Sequence, residues 1–111
     1  TDNYLKSVDL NKEGHGLIVG GDGTVLRSSD FGSNWEKTKL NTTGGFQKVR
    51  FISENNSIVI GSRGTILISK DKGETWDIVD SPYYSNMNGL SISPYGKIFI
   101  VCVNGMIIKI Q

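Results

Sequence analysis

A thiol and an imidazole are the side chains most easily turned to nucleophilic chemistry, and this 111-residue sequence has one of each, Cys102 and His15. A reactive cysteine needs a base beside it, because the thiolate is the nucleophile. Here Cys102 lies inside the apolar run Ile98 to Val103 and His15 in a Gly-flanked loop, so a buried, inert thiol is the reading that follows. With one His, one Cys and no clustered carboxylates, no metal site is expected. Gly20-Gly21-Asp22-Gly23 precedes a strand and not the helix that a phosphate loop opens, so no cofactor is expected either.

The remaining acids of interest are Asp30 and Asp71, and they recur in one context. Ser28-Ser29-Asp30-Phe31-Gly32-Ser33-Asn34-Trp35 returns 41 residues later as Ser69-Lys70-Asp71-Lys72-Gly73-Glu74-Thr75-Trp76. From Val19 to Trp35 against Ile60 to Trp76, eight of seventeen positions are identical. Chance would leave about one, so the chain is built on a repeat. Each carboxylate can accept the backbone N–H groups of a tight loop, Gly32 and Gly73 can take the positive φ that closes it, and the indole can cover it. The chemistry of Ser28, Asp30, Gly32 and Trp35, and of Ser69, Asp71, Gly73 and Trp76, is therefore that of loop building.

These residues resemble the Asp-box, S-x-D-x-G-x-T-W, of the sialidase repeat superfamily. The second copy fits throughout, and the first has Asn34 where Thr is usual. The resemblance implies a hairpin between the outer two strands of a β-propeller blade, with ligands on the opposite rim. Sialidase activity would need an arginine triad, a Tyr nucleophile with its Glu, and an Asp acid. Arg27, Arg50 and Arg63 match in number but occupy different positions of the repeat, and the F/Y-R-I-P motif is only echoed by Val49-Arg50-Phe51-Ile52. Hydrolysis is not expected.

The longer run G-x-x-G-x-[IV]-L-x-S-x-D-x-G-x-x-W, at Gly20 to Trp35 and Gly61 to Trp76, is similar to the photosystem II stability and assembly factors and their bacterial relatives. That resemblance implies a non-enzymatic, extracytoplasmic propeller that holds a protein partner. The photosynthetic members carry an arginine patch on the binding rim, whereas here Arg63 alone occupies the aligned turn, with Asp22 and Asn104 beside it, which suits a generic bacterial relative. On that rim the expected residues are Asp22, Arg63 and Asn104 in the turns, and Tyr83 and Tyr84 in a crossing between repeats. The alternative is a carbohydrate-binding, lectin-like propeller closed by homo-oligomerisation. It would want an aromatic residue repeated at a pocket, and the repeated aromatics are already used in the Asp-boxes.

The elements that must position these residues follow from the period of 41. Three tiers align, at about 4–44, 45–85 and 86–111, forming one domain, with Val19, Ile60 and Val101 equivalent. Each opens with a short apolar alternation, Val8 and Leu10, Val49 and Phe51, or Leu90 and Ile92. Next come the apolar runs at Leu17, Ile58 and Ile98, then a turn ending at Gly23, Gly64 or Gly105. Third strands are expected at Thr24 to Arg27, Thr65 to Ile68 and Met106 to Ile110. Polar fourth strands are expected at Trp35 to Leu40 and Trp76 to Val79. Consecutive apolar positions in the second and third strands mean that both faces are covered, and the charged fourth strand marks an outer edge.

An all-β partial propeller of about three blades, each a four-stranded antiparallel sheet and the last incomplete, is the fold this pattern predicts. Such an array is expected either to be part of a longer propeller or to close by oligomerising. A net charge of +1 and the lack of a basic run exclude a strong electrostatic footprint for nucleic acid. No apolar run approaches the ~18 residues of a membrane-spanning helix.

Overall fold

The computed structural model describes residues 5–38, 40, 44–79 and 85–110. They form three antiparallel sheets in sequence. The first holds β1 (Leu5–Leu10), β2 (Gly16–Gly20), β3 (Val25–Ser28) and β4 (Glu36–Thr38). The second holds β5 (Phe46–Phe51), β6 (Ser57–Gly61), β7 (Ile66–Ser69) and β8 (Asp77–Ile78). In the third, β9 (Met87–Ile92), β10 (Ile98–Cys102) and β11 (Ile107–Ile110) pair in order, with no fourth strand among the described residues. Each sheet is an up-and-down meander, so every strand lies beside its sequence neighbour.

The registers repeat as the sequence does. Val19 pairs with Val25 and Ile60 with Ile66; Val8 pairs with Ile18 and Val49 with Val59. A bulge interrupts each first-strand pairing, between Leu5 and Ser7 and between Phe46 and Lys48, with a third between Val101 and Cys102. Contacts between sheets concentrate on the first strands, β1 against β5 and β5 against β9, which is the packing of blades about an axis.

Two apolar layers separate the three sheets. Leu17, Val19 and Val25 of the first sheet meet Phe46, Val49, Val59 and Leu67 of the second. On the other face of the second sheet, Ile58, Ile60 and Ile66 meet Met87, Ile98, Ile100 and Cys102 of the third. Alternation along β6 thus feeds both layers, and all five of its residues are buried. The fourth strands are exposed, as their charges predict. Cys102 is a free thiol within the second layer.

The predicted third and fourth strands start one residue too early. Thr24 and Thr65 donate their hydroxyls to the carbonyls of Gly21 and Ser62, both at 2.7 Å, so each threonine closes the turn instead of opening the strand. Trp35 and Trp76 likewise stay with their loops, and pairing begins at Glu36 and Asp77. Arg63 lies within a short 3-10 turn, Ser62–Gly64.

Candidate protein-binding rim

The two Asp-box loops are built from the same bonds. Ser28 donates its hydroxyl to Asp30 Oδ1 at 2.8 Å and accepts the Gly32 N–H at 3.0 Å. Ser69 does the same with Asp71 and Gly73, both at 2.8 Å. Asp30 then accepts the Asn34 N–H at 2.9 Å, as Asp71 accepts the Thr75 N–H at 2.9 Å. The departure at Asn34 is compensated chemically. Its side-chain amide donates to Asp30 Oδ2 at 2.8 Å, the bond that the Thr75 hydroxyl makes to Asp71 Oδ2. Gly32 and Gly73 have φ of 87° and 89°, preceded by Phe31 and Lys72 at 60° and 65°. The Trp76 indole donates to the Gly73 carbonyl at 3.1 Å, while the Trp35 ring lies against Gly16 and Gly32.

These bonds also set the acidity. The side-chain amide of Asn34, its N–H and the Ser28 hydroxyl lower Asp30 from 3.8 to about 2. At Asp71 burial pushes upward, yet the Thr75 hydroxyl and N–H and the Ser69 hydroxyl outweigh it and leave the group below its ordinary value. Carboxylates held this way keep their charge and hold loops; they are poorly suited to giving up a proton at neutral pH.

The three arginines have three separate settings. Arg27 is on the Asp-box rim, where its Nε donates to the Lys72 carbonyl at 3.0 Å and its guanidinium lies 3.4 Å from Glu74. Arg50 pairs with Asp9 at 3.8 Å between β5 and β1, and Asp9 also accepts the Phe51 N–H. Arg63 stands in the β6–β7 turn at the other ends of the strands, and its guanidinium makes no ion pair among the described residues. A cleft of about 490 Å³ on the Asp-box rim is lined by Arg27, Asp30, Asn34 and Trp35, whose polar groups are largely engaged by the loops themselves.

The opposite rim carries the turns β2–β3, β6–β7 and β10–β11. Asp22 and Arg63 adopt left-handed conformations, φ 54° and 55°, each followed by a left-handed glycine, Gly23 or Gly64. Both side chains are exposed, and they present opposite charges on neighbouring turns. Asn104 is also exposed but is not their conformational equivalent. Its side chain folds back to accept the Met106 N–H at 3.2 Å, so the alignment of three like turn residues holds for two. Tyr83 and Tyr84 lie outside the described residues.

What joins the turns was not legible in the sequence. Gly23 donates its N–H to Gly44 O and Gly64 to Ser85 O, at 2.8 and 3.0 Å. Ser62 donates to Gly45 O and Val103 to Asn86 O, at 2.9 and 3.0 Å. Each crossing segment therefore laces the turn behind it to the turn ahead. Asn86 adds a third bond, its side chain accepting the Arg63 N–H at 3.0 Å. Gly44-Gly45 and Ser85-Asn86 stand 41 apart but share no residue, and the bonds use main chain, so no residue-type signal marks them.

Residues 1–80 match the family described as Photosynthesis system II assembly factor YCF48. Among solved structures, the chain is similar to YCF48 bound to D1 peptide, with 21% identity and a TM-score of 0.85, over 98% of this chain and 37% of that one. YCF48 from Cyanidioschyzon merolae matches at 29% identity and a TM-score of 0.80, over 98% of this chain and 34% of that one. An ancestral GH74 enzyme shares the fold at 14% identity and a TM-score of 0.68, over 98% of this chain and 20% of its own length. The chain thus spans little more than a third of the YCF48 structures it matches. No curated protein matches it.

Proposed function

Since the chain belongs to the photosystem II assembly factor YCF48 family, we propose that it is a non-catalytic propeller module that holds a protein segment on the rim carrying Asp22, Arg63 and Asn104. One observation carries this reading: the Arg63 guanidinium is exposed and unpaired among the described residues, on a turn whose backbone is fixed by Asn86. A cation presented on a preset turn loses little entropy on meeting a carboxylate or carbonyl. That a YCF48 structure has been solved with a D1 peptide supports a peptide segment as the class of partner. Tyr83 and Tyr84 are proposed as flanking contacts, further blades from the same or another chain as completing the ring, and an extracytoplasmic compartment as the setting.

The glycan-binding alternative has no comparable support. The aromatic residues repeated between sheets, Trp35 and Trp76, are spent against the glycines of their own loops.

The test is binding of a fluorescently labelled D1 peptide, read by anisotropy, to the wild-type chain, to Arg63→Glu and to Lys70→Glu on the Asp-box rim. The expected result is at least a tenfold loss for Arg63→Glu and no change for Lys70→Glu. Equal affinities in all three, or no binding to the wild type, would sink the reading.

A further inference from the structure

The sequence holds two Asn-Gly steps, Asn88-Gly89 and Asn104-Gly105, and the fold gives them different settings. An Asn followed by Gly can lose its side-chain amide without an enzyme. The next backbone nitrogen attacks the amide carbon, and glycine has no Cβ to block the approach. How closely side chain and main chain are held in that geometry sets the rate.

Asn104 and Gly105 are exposed in the β10–β11 turn. The Asn104 side-chain oxygen accepts the N–H of Met106, two residues on, at 3.2 Å. The ring closed by that bond runs through the Gly105 nitrogen, so the side-chain carbon is folded back toward the atom that attacks it. The same Met106 N–H polarises the amide carbonyl and meets the negative charge that grows on its oxygen as the new bond forms. Gly105 donates its own N–H to the Cys102 carbonyl at 3.0 Å. That bond lies in the peptide plane, while the nitrogen attacks perpendicular to it, so the bond holds the nitrogen without covering the attacking face.

Asn88 has the same following residue and is also exposed, but it lies within β9. Met87 pairs with Cys102 and Gly89 with Val101, so the main chain on both sides of Asn88 is held in the sheet. Closing a five-membered ring there would pull Gly89 out of its pairing. Residue type and exposure are therefore shared by the two steps, and the backbone setting separates them.

We propose that Asn104 is a site of spontaneous deamidation, on the rim that carries Asp22 and Arg63. The Gly105 nitrogen bonds to Asn104 Cγ, the Cγ–Nδ2 bond breaks, and the side-chain nitrogen leaves as ammonia with the proton from Gly105. Water then opens the cyclic imide at either carbonyl, giving aspartate or isoaspartate. Both products replace a neutral amide with a group that is ionised at neutral pH. Asn86 ties this turn to the turn of Arg63, so the new negative charge arises on the turn adjoining that cation. Isoaspartate also moves a methylene from side chain to main chain, which lengthens the backbone of the turn.

The experiment incubates the native protein and the chain unfolded in guanidinium chloride at mildly alkaline pH, with circular dichroism marking the two states, and follows tryptic peptides by mass spectrometry over time. Cleavage at Lys97 puts Asn88 and Asn104 in separate peptides. Each deamidation adds about 1 Da, the exchange of NH2 for OH. In the native protein the Asn104 peptide is expected to convert at least tenfold faster than the Asn88 peptide, with isoaspartate among its products. In the unfolded chain the two are expected to convert at similar rates. Equal rates in the native protein would show that the fold makes no distinction, and would overturn the proposal. So would a tenfold slower conversion of Asn104 in the native protein than in the unfolded chain, which would mean that the turn protects it. A product without isoaspartate would also overturn it, because direct hydrolysis would then replace the cyclic imide.

Discussion

The side-chain oxygen of Asn86 accepts the backbone N–H of Arg63 at 3.0 Å, while the carbonyl of the same residue accepts the N–H of Val103 at 3.0 Å. One residue thereby ties the turn of the second sheet to the turn of the third. Asn86→Ala removes the first bond and keeps the second, with an expected cost of about 0.5–1.5 kcal/mol in urea unfolding. Asn86→Asp keeps an acceptor in place and is expected to recover most of that loss. Equal stability of Asn86→Ala and wild type would show that the bond to Arg63 contributes nothing.

A second close approach on this rim excludes a side chain altogether. A methyl on Gly61 would stand 2.1 Å from the carbonyl oxygen of Gly45. Backbone on both sides leaves no room to yield, so Gly61→Ala is expected to lose about 1–3 kcal/mol. Gly21, in the turn of the preceding sheet one position beyond the counterpart of Gly61, has open space around it, and Gly21→Ala is expected within about 0.5 kcal/mol of wild type. Thermal denaturation of the two variants compares them directly.

Acid should weaken the Asp-box loops in a defined window. The Asp30 carboxyl lies at about 2 in the folded chain against an ordinary 3.8. A depressed folded pKa gives stability that is present above the unfolded value and lost as pH falls through the folded one. The loss is therefore expected between about pH 4 and pH 2. Asp71, also lowered, adds to it in the same direction. In Asp30→Asn this contribution is absent, so its deficit in urea midpoint relative to wild type should be largest at pH 7 and should shrink at pH 2.

The exchange at position 34 can be tested both ways. The Asn34 amide makes the bond that the Thr75 hydroxyl makes in the second loop. Asn34→Thr is expected to be within about 0.5 kcal/mol of wild type, and Asn34→Ala to lose about 0.5–1.5 kcal/mol. Chemical denaturation of both variants decides it, and a neutral Asn34→Ala would show that the side-chain bond is dispensable.

Arg27 joins the first sheet to the second through one bond to a neutral carbonyl and one to a carboxylate. Its Nε donates to the Lys72 carbonyl, and its partner Glu74 is 62% exposed. Water screens the ion pair, so Glu74→Gln is expected to cost less than about 0.5 kcal/mol. Arg27→Met leaves the Lys72 carbonyl without its donor and is expected to cost about 1 kcal/mol or more. Equal effects from the two substitutions would assign the contribution to charge.

The sequence by itself determined the repeat, the order of strands and the two-sided burial of the middle sheet. Each of those is written in residue types. Apolar residues at Ile58, Val59 and Ile60 must face both ways along a pleated strand, and Ser69, Asp71 and Gly73 can close a loop within a few residues of one another. Local bonds of that kind need no knowledge of the rest of the chain. The same locality accounts for the small errors: whether Thr24 begins a strand or ends a turn rests on a single hydroxyl bond.

Only the tertiary structure decided how the turns are joined and what each arginine does. Gly44 and Ser85 occupy equivalent places and make equivalent bonds through carbonyl oxygens, which every residue has, so nothing in their identities announces the role. Gly61 is required by a carbonyl that approaches from sixteen positions away. Arg27, Arg50 and Arg63 occupy different positions of the repeat, but what each one meets is set only when the sheets stack and bring Lys72, Asp9 or solvent in front of them. Contacts between sheets depend on packing across the repeat, and a pattern along the chain records the repeat without recording what meets across it.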